Sequence, residues 1–165
     1  MESYGKGDIF TRRIAIKTLN AWEPFTDCVS ILFSFQHLDV VDGEDELPEW
    51  RIFWVAGLTL LRTIGHVLDK VDKPLSTKHA EVISRNWMRI KTDRQQNRIF
   101  WDFVEDGRNN LLKTYSWGTS LVKDEHGYFV EYKSGDDAFQ LFREAVYWWR
   151  HQLEKIESEI TEQTT

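Results

Sequence analysis

Along most of this chain apolar residues recur every three or four positions, the spacing of an amphipathic helix. Asn20-Ala21-Trp22-Glu23 resembles a capping pattern, and Pro24 suits a first helical turn. A first helix is expected from there to about Leu38, through Phe25, Cys28, Val29, Leu32, Phe33 and Phe35. A second begins near Pro48. Its Trp50, Phe53, Trp54, Leu58, Leu61, Ile64 and Leu68 crowd most of the circumference, which predicts a central helix covered on several sides. It should stop before Lys73-Pro74, because the residue preceding a proline disfavours helix. Ser76-Thr77 can cap a third helix carrying Val82, Ile83, Trp87 and Ile90. After a polar break at 92–97, a fourth carries Ile99, Phe100, Phe103, Val104, Leu111 and Leu112.

The period then changes. Leu121-Val122, a turn at Asp124-Glu125-His126-Gly127, and Tyr128-Phe129-Val130-Glu131-Tyr132 predict a β-hairpin over 118–132. Ser134-Gly135-Asp136-Asp137 signals the start of a last helix, which runs through Phe142, Trp148, Trp149, Leu153 and Ile156. Of the adjacent Trp148 and Trp149, one should be core and the other free to face a partner. Residues 1–7 and 158–165 read as frayed ends, 9–19 as a short strand or extended arm, and 39–46 as an acidic loop with a turn at Asp42-Gly43. The fold class is therefore mainly α: a bundle of about five helices with a small β-hairpin insertion, in one domain spanning 1–165.

Composition narrows the function. Eight Trp, ten Phe and five Tyr can fill a large core, and rings beyond its needs would suit a partner surface, so a homodimer is expected. The net charge of -6 argues against long, non-specific tracking on nucleic acid, though it leaves room for a small local basic site. Cys28 stands alone, so no intrachain disulfide forms. The five histidines show no metal-ligand spacing, and neither metal nor cofactor is expected. The first twenty residues lack an apolar core of the secretory kind. The apolar stretch Phe53 to Ile64 is broken by Thr59, Arg62 and Thr63, so a cytoplasmic protein with no membrane association is expected.

The chemistry concentrates in 105–115. On a helix Glu105, Asn109 and Lys113 share a face, and Arg108 roughly aligns with Tyr115 through Leu112. These residues suit a plain solvated face with ion pairs at helical spacing. They also resemble the signature of the HEPN superfamily, helical-bundle proteins of prokaryotic defence and toxin systems. That signature is an arginine, four residues with a polar one first, then a histidine, often with a tyrosine two residues on. Arg108, Asn109 and Tyr115 match it, and Lys113 stands at the histidine position. Long helices before the motif and one after it fit the same family, although only about eight residues are specific. The hairpin departs from its plain bundle.

For active members the resemblance implies metal-independent RNA cleavage at a dimer interface, with histidine moving the proton and arginine stabilising phosphate charge. Lysine titrates near ~10.4 in water and histidine near ~6.5, so the exchange removes the natural base. The resemblance then implies a non-catalytic protein that binds RNA, a nucleotide or a defence-system partner through Arg108, Asn109, Lys113, Tyr115 and Glu105. His66, one turn after Arg62, could lend an imidazole if the second and fourth helices touch. The other reading is an acidic interaction module, such as an immunity protein, antitoxin or assembly factor, with no ligand site.

Overall fold

A computed structural model describes residues 17–38, 40 and 49–162. The proposed strand or arm at 9–16, most of the acidic loop and the extreme termini lie outside these residues. Five α-helices and one two-stranded hairpin form the described part: α1 (Trp22–His37), α2 (Glu49–Val67), α3 (Thr77–Thr92), α4 (Asp106–Thr114), β1 (Thr119–Asp124), β2 (Gly127–Tyr132) and α5 (Ala138–Thr161). This is the mainly α bundle with a small hairpin that the periodicity predicts.

Two helices run on in a wider form. α2 continues through a π-helical turn at Leu68–Asp72 and a short 3-10 turn at Lys73–Leu75, and a π-helical stretch at Ile99–Glu105 leads into α4. The wider helix thus ends at Asp72, before Lys73-Pro74 as expected, and only the short 3-10 turn carries the chain past the proline. α2 and α5 form the centre. α2 packs on α1, α4 and α5, while α5 also meets α3 and the π-helical stretch before α4. Trp54, Leu58, Leu61, Ile64, Phe142, Trp149 and Leu153 are buried between them. Most rings are consumed by this core. Trp148 is half-buried, and its indole donates to Asn97 Oδ1 at 2.9 Å, so it serves the chain's own packing.

From Glu49 to Leu75 the helical run is 27 residues long, and by length and composition alone it would suit a membrane span, with a mean hydropathy of 1.3 over its most apolar stretch. A core helix meets the same measure, and α2 has Trp54, Leu58, Leu61 and Ile64 wholly covered by protein. Gly57 explains the close fit there: a Cβ at that position would lie 2.5 Å from the Phe142 ring.

The ends of the helices follow sequence in two places and depart in two. Ser76 Oγ accepts from the His79 N–H at 3.2 Å, and Asp137 Oδ1 from the Gln140 N–H at 2.9 Å, the expected caps of α3 and α5. The start of α1 has no side-chain cap of its own. Instead, fully buried Asp72, from the π turn after α2, accepts from Asn20 N at 2.7 Å, Asn20 Nδ2 at 2.9 Å and Ala21 N at 3.0 Å. A second buried carboxylate, Glu157 of α5, accepts from Thr18 N, Thr18 Oγ1, Leu19 N and the Trp22 indole at 2.6–3.0 Å. These two groups clasp residues 18–22 to the bundle. They also correct the expected fraying from 158: α5 holds to Thr161 because Glu157 and Ile160 are buried.

The hairpin pairs Thr119 with Tyr132 and Asp124 with Gly127, around the expected turn. Its inward residues, Val130 and Tyr132, are buried, which anchors β2 beside α5 and α4. The Tyr132 ring meets Phe103 edge to face at 5.3 Å, and burial together with the Asp106 charge pushes its phenol up to about 12.

Candidate functional site

α4 is short and ends in an unusual way. Its last turn closes with Tyr115 N–H donating to Leu111 O at 3.0 Å, and Tyr115 adopts the left-handed conformation at φ 51°. Glycine or asparagine normally occupies such a place, since a Cβ crowds the following carbonyl there. Tyr115 is the non-glycine residue with positive φ among those described, and its ring is 69% exposed. It meets Trp117 edge to face at 5.4 Å, and the Arg51 guanidinium lies 3.7 Å from the Trp117 ring centre. An exposed tyrosine, a tryptophan and an arginine thus form one cluster at the end of α4. Its sequence signal was faint, because Arg51 stands more than sixty residues before Trp117.

The motif residues are only partly brought together. Arg108 is half-buried, and its Nη1 donates to Asn109 Oδ1 at 3.1 Å. Lys113 is exposed and makes no ion pair among the described residues. Leu112, between Arg108 and Tyr115 on the same face, is 63% exposed.

Glu105 and His66 depart from the predicted patch. Glu105 lies in the π-helical stretch and turns to Arg62 of α2, with Nε and Oε2 2.8 Å apart. The N–H does not point along that line, so the contact is Coulombic rather than a hydrogen bond. α2 and α4 do touch, as the imidazole idea required. Yet His66 is exposed at the mouth of a different cleft, between the end of α2, α3 and α5, to which Arg108, Asn109, Lys113 and Tyr115 do not contribute. At the start of α4, Asp106 is engaged by the Lys133 ammonium and by Asn110 Nδ2, while Lys113 stands in the last turn.

No group of three or more metal-ligating side chains occurs among the described residues. No protein-family model matches the chain, and no curated protein or solved structure matches it either. α4 carries the Arg108–Asn109 pair in its first turn and Lys113 with the Tyr115 ring at its end.

Proposed function

We propose that the protein is a non-catalytic, HEPN-like binding module that takes a nucleotide or a short single-stranded RNA at the C-terminal end of α4. The carrying observation is Tyr115, held in a left-handed conformation and largely exposed, with its ring against Trp117. Backbone strain of this kind concentrates where a side chain has work to do. In this reading Tyr115 stacks a base, while Lys113 and Arg108 face phosphate oxygens and Asn109 orients Arg108. The overall charge of -6 limits the ligand to a short one. No strand cleavage is expected, because His66 lines a different cleft and Glu105 is engaged by Arg62.

Calorimetry with nucleotides and short oligoribonucleotides tests the reading. Wild type should bind with affinity that falls as salt rises, and Arg108→Ala/Lys113→Ala should lose that binding. Tyr115→Gly is the sharper variant: it relieves the backbone, so the fold should hold, yet it removes a stacking contribution of about 1–3 kcal/mol. Equal binding in all variants, or none in any, rejects the site. RNA cutting that depends on Arg108 would reject its non-catalytic character.

A second reading draws on Leu112, whose exposure beside Tyr115 gives the same face an apolar centre. It would make this face a protein contact, including the homodimer that the family resemblance implies. Light scattering at tens of micromolar would report a dimer, and Leu112→Asp should dissociate it.

A further inference from the structure

We propose that the cleft between the end of α2, α3 and α5 binds a small planar aromatic acid, an occupant separate from the phosphate-bearing ligand at α4. The cleft encloses about 390 Å³, within the range of pockets that hold small organic molecules. Ile83, Trp87, Ile90, Phe100, Trp149 and Ile156 supply its apolar walls. Phe100 stands edge to face with Trp87 at 5.5 Å and with Trp149 at 5.9 Å. A flat ring can lie on one such face while its edge meets the next.

Two buried polar atoms distinguish these walls from ordinary core. Asn86, 4% exposed, uses Nδ2 to reach Gln152 Oε1 at 3.4 Å, while its Oδ1 has no partner. Trp149, 2% exposed, has an indole N–H with no acceptor. Unsatisfied buried groups are few in folded proteins, and here an acceptor and a donor belong to two residues that line one cleft, each just beneath its surface. A ligand carrying one N–H and one oxygen acceptor answers both once it displaces the side chains that cover them.

The mouth favours an acid. Arg62, His66 and Lys73 stand there; Glu105 lies 2.8 Å from Arg62, and Asp69 lies 2.8 Å from Lys70 and 3.6 Å from Lys73, which leaves the cations in excess. Gly65 keeps the floor open: a Cβ there would lie 3.1 Å from the Trp149 ring and 3.3 Å from Arg62. Both π-helical stretches border the cleft, through Leu68 and Asp69 on one side and Phe100 on the other. Such turns recur at functional sites.

Calorimetry with indole-3-carboxylate, indole-3-carboxamide and hexanoate tests the proposal on the full chain. The aromatic acid should bind best. Asn86→Leu removes the unpaired acceptor, and Ser84→Trp fills the cleft from its half-buried wall; each should weaken the acid by about tenfold or more. Arg108→Ala should leave this binding unchanged, which separates it from the α4 site. Circular dichroism checks that each variant folds, and Asn86→Leu alone suffices if Ser84→Trp does not. Absence of binding to the aromatic acid overturns the proposal. So does an affinity unchanged in the folded variants, or matched by the carboxamide or hexanoate.

Discussion

Removing the Glu157 carboxylate should unfasten the start of α1. In the wild type this side chain is wholly buried and accepts four hydrogen bonds: from Thr18 N at 2.6 Å, Thr18 Oγ1 at 2.8 Å, Leu19 N at 2.9 Å and Trp22 Nε1 at 3.0 Å. In Glu157→Ala, exposed Thr18 can turn both its groups to water. Leu19 and Trp22 are 4% and 7% exposed, so their two donors stay buried and unpaired. Each such donor costs about 1–3 kcal/mol. Relief of the buried charge offsets part of this, and a net loss of about 3–4 kcal/mol is expected. Glu157→Gln keeps the shape and an acceptor oxygen, so it should lose only about 1–2 kcal/mol of charge assistance. Two residues on, Glu159 also pairs with two arginines, at 2.8 Å and 2.5 Å, but near solvent. Glu159→Ala should therefore cost less than about 1 kcal/mol. Urea titration gives the comparison, with Glu157→Ala shifting the midpoint by about 1–2 M at unchanged slope. If Glu157→Ala were no worse than Glu159→Ala, the clasp would not hold the bundle and the reasoning would fail.

Gly57→Ala ought to gain helix propensity of about 1 kcal/mol, yet a net loss of about 1–3 kcal/mol is expected because the new methyl would meet the Phe142 ring at 2.5 Å; thermal melting decides the sign. Stability should also fall in alkali. Burial, aided by the Asp27 charge, pushes the Cys28 thiol up, and the Tyr132 phenol moves up to about 12. Both groups stay neutral in the folded chain while the unfolded chain ionises near ~8.5 and ~10, so their contribution is intact below ~8.5 and declines above it by up to about 1.4 kcal/mol per pH unit for each. Cys28→Ala should flatten the loss between these two values in a pH series of melts, and a wild type equally stable across the range would refute the assignment.

Local signals carried most of the fold. Ser76 and Asp137 cap helices as their residue types suggest, and the hairpin turns where Asp124–Gly127 predicts. The π-helical stretches escaped because an extra residue in a turn barely alters the apolar period. Glu157 was readable in principle: four residues after Leu153 and three before Ile160, it sits in the buried stripe of α5 where a carboxylate needs a reason. Asp72 carried no comparable signal, since its partners Asn20 and Ala21 lie some fifty residues earlier. The same limit hid the α4 cluster and the cleft. Arg51 and Trp117, or Asn86 and Trp149, meet only through the packing of distant helices. Spacing along one helix could align Glu105 with Lys113, but it could not foresee that Arg62 would claim the carboxylate.

The wide turn at Leu68–Asp72 stores chain length as well as the chemistry of its buried Asp72. A π turn inserts one residue into a continuing helix and so advances everything after it by about 100°. Before it, Leu58, Leu61 and Ile64 are in phase with the core; at its last residue, Asp72 is in phase with the start of α1. Val71, 46% exposed, occupies the segment without a buried role. Val71→Ala should leave the melting temperature nearly unchanged, whereas deleting Val71 should rotate Asp72 away from Asn20 and Ala21 and lower it sharply. Equal effects of the two changes would show that register is not what this turn encodes. Its exposed positions, Asp69, Lys70 and Val71, would look unconstrained one by one and yet be fixed in number.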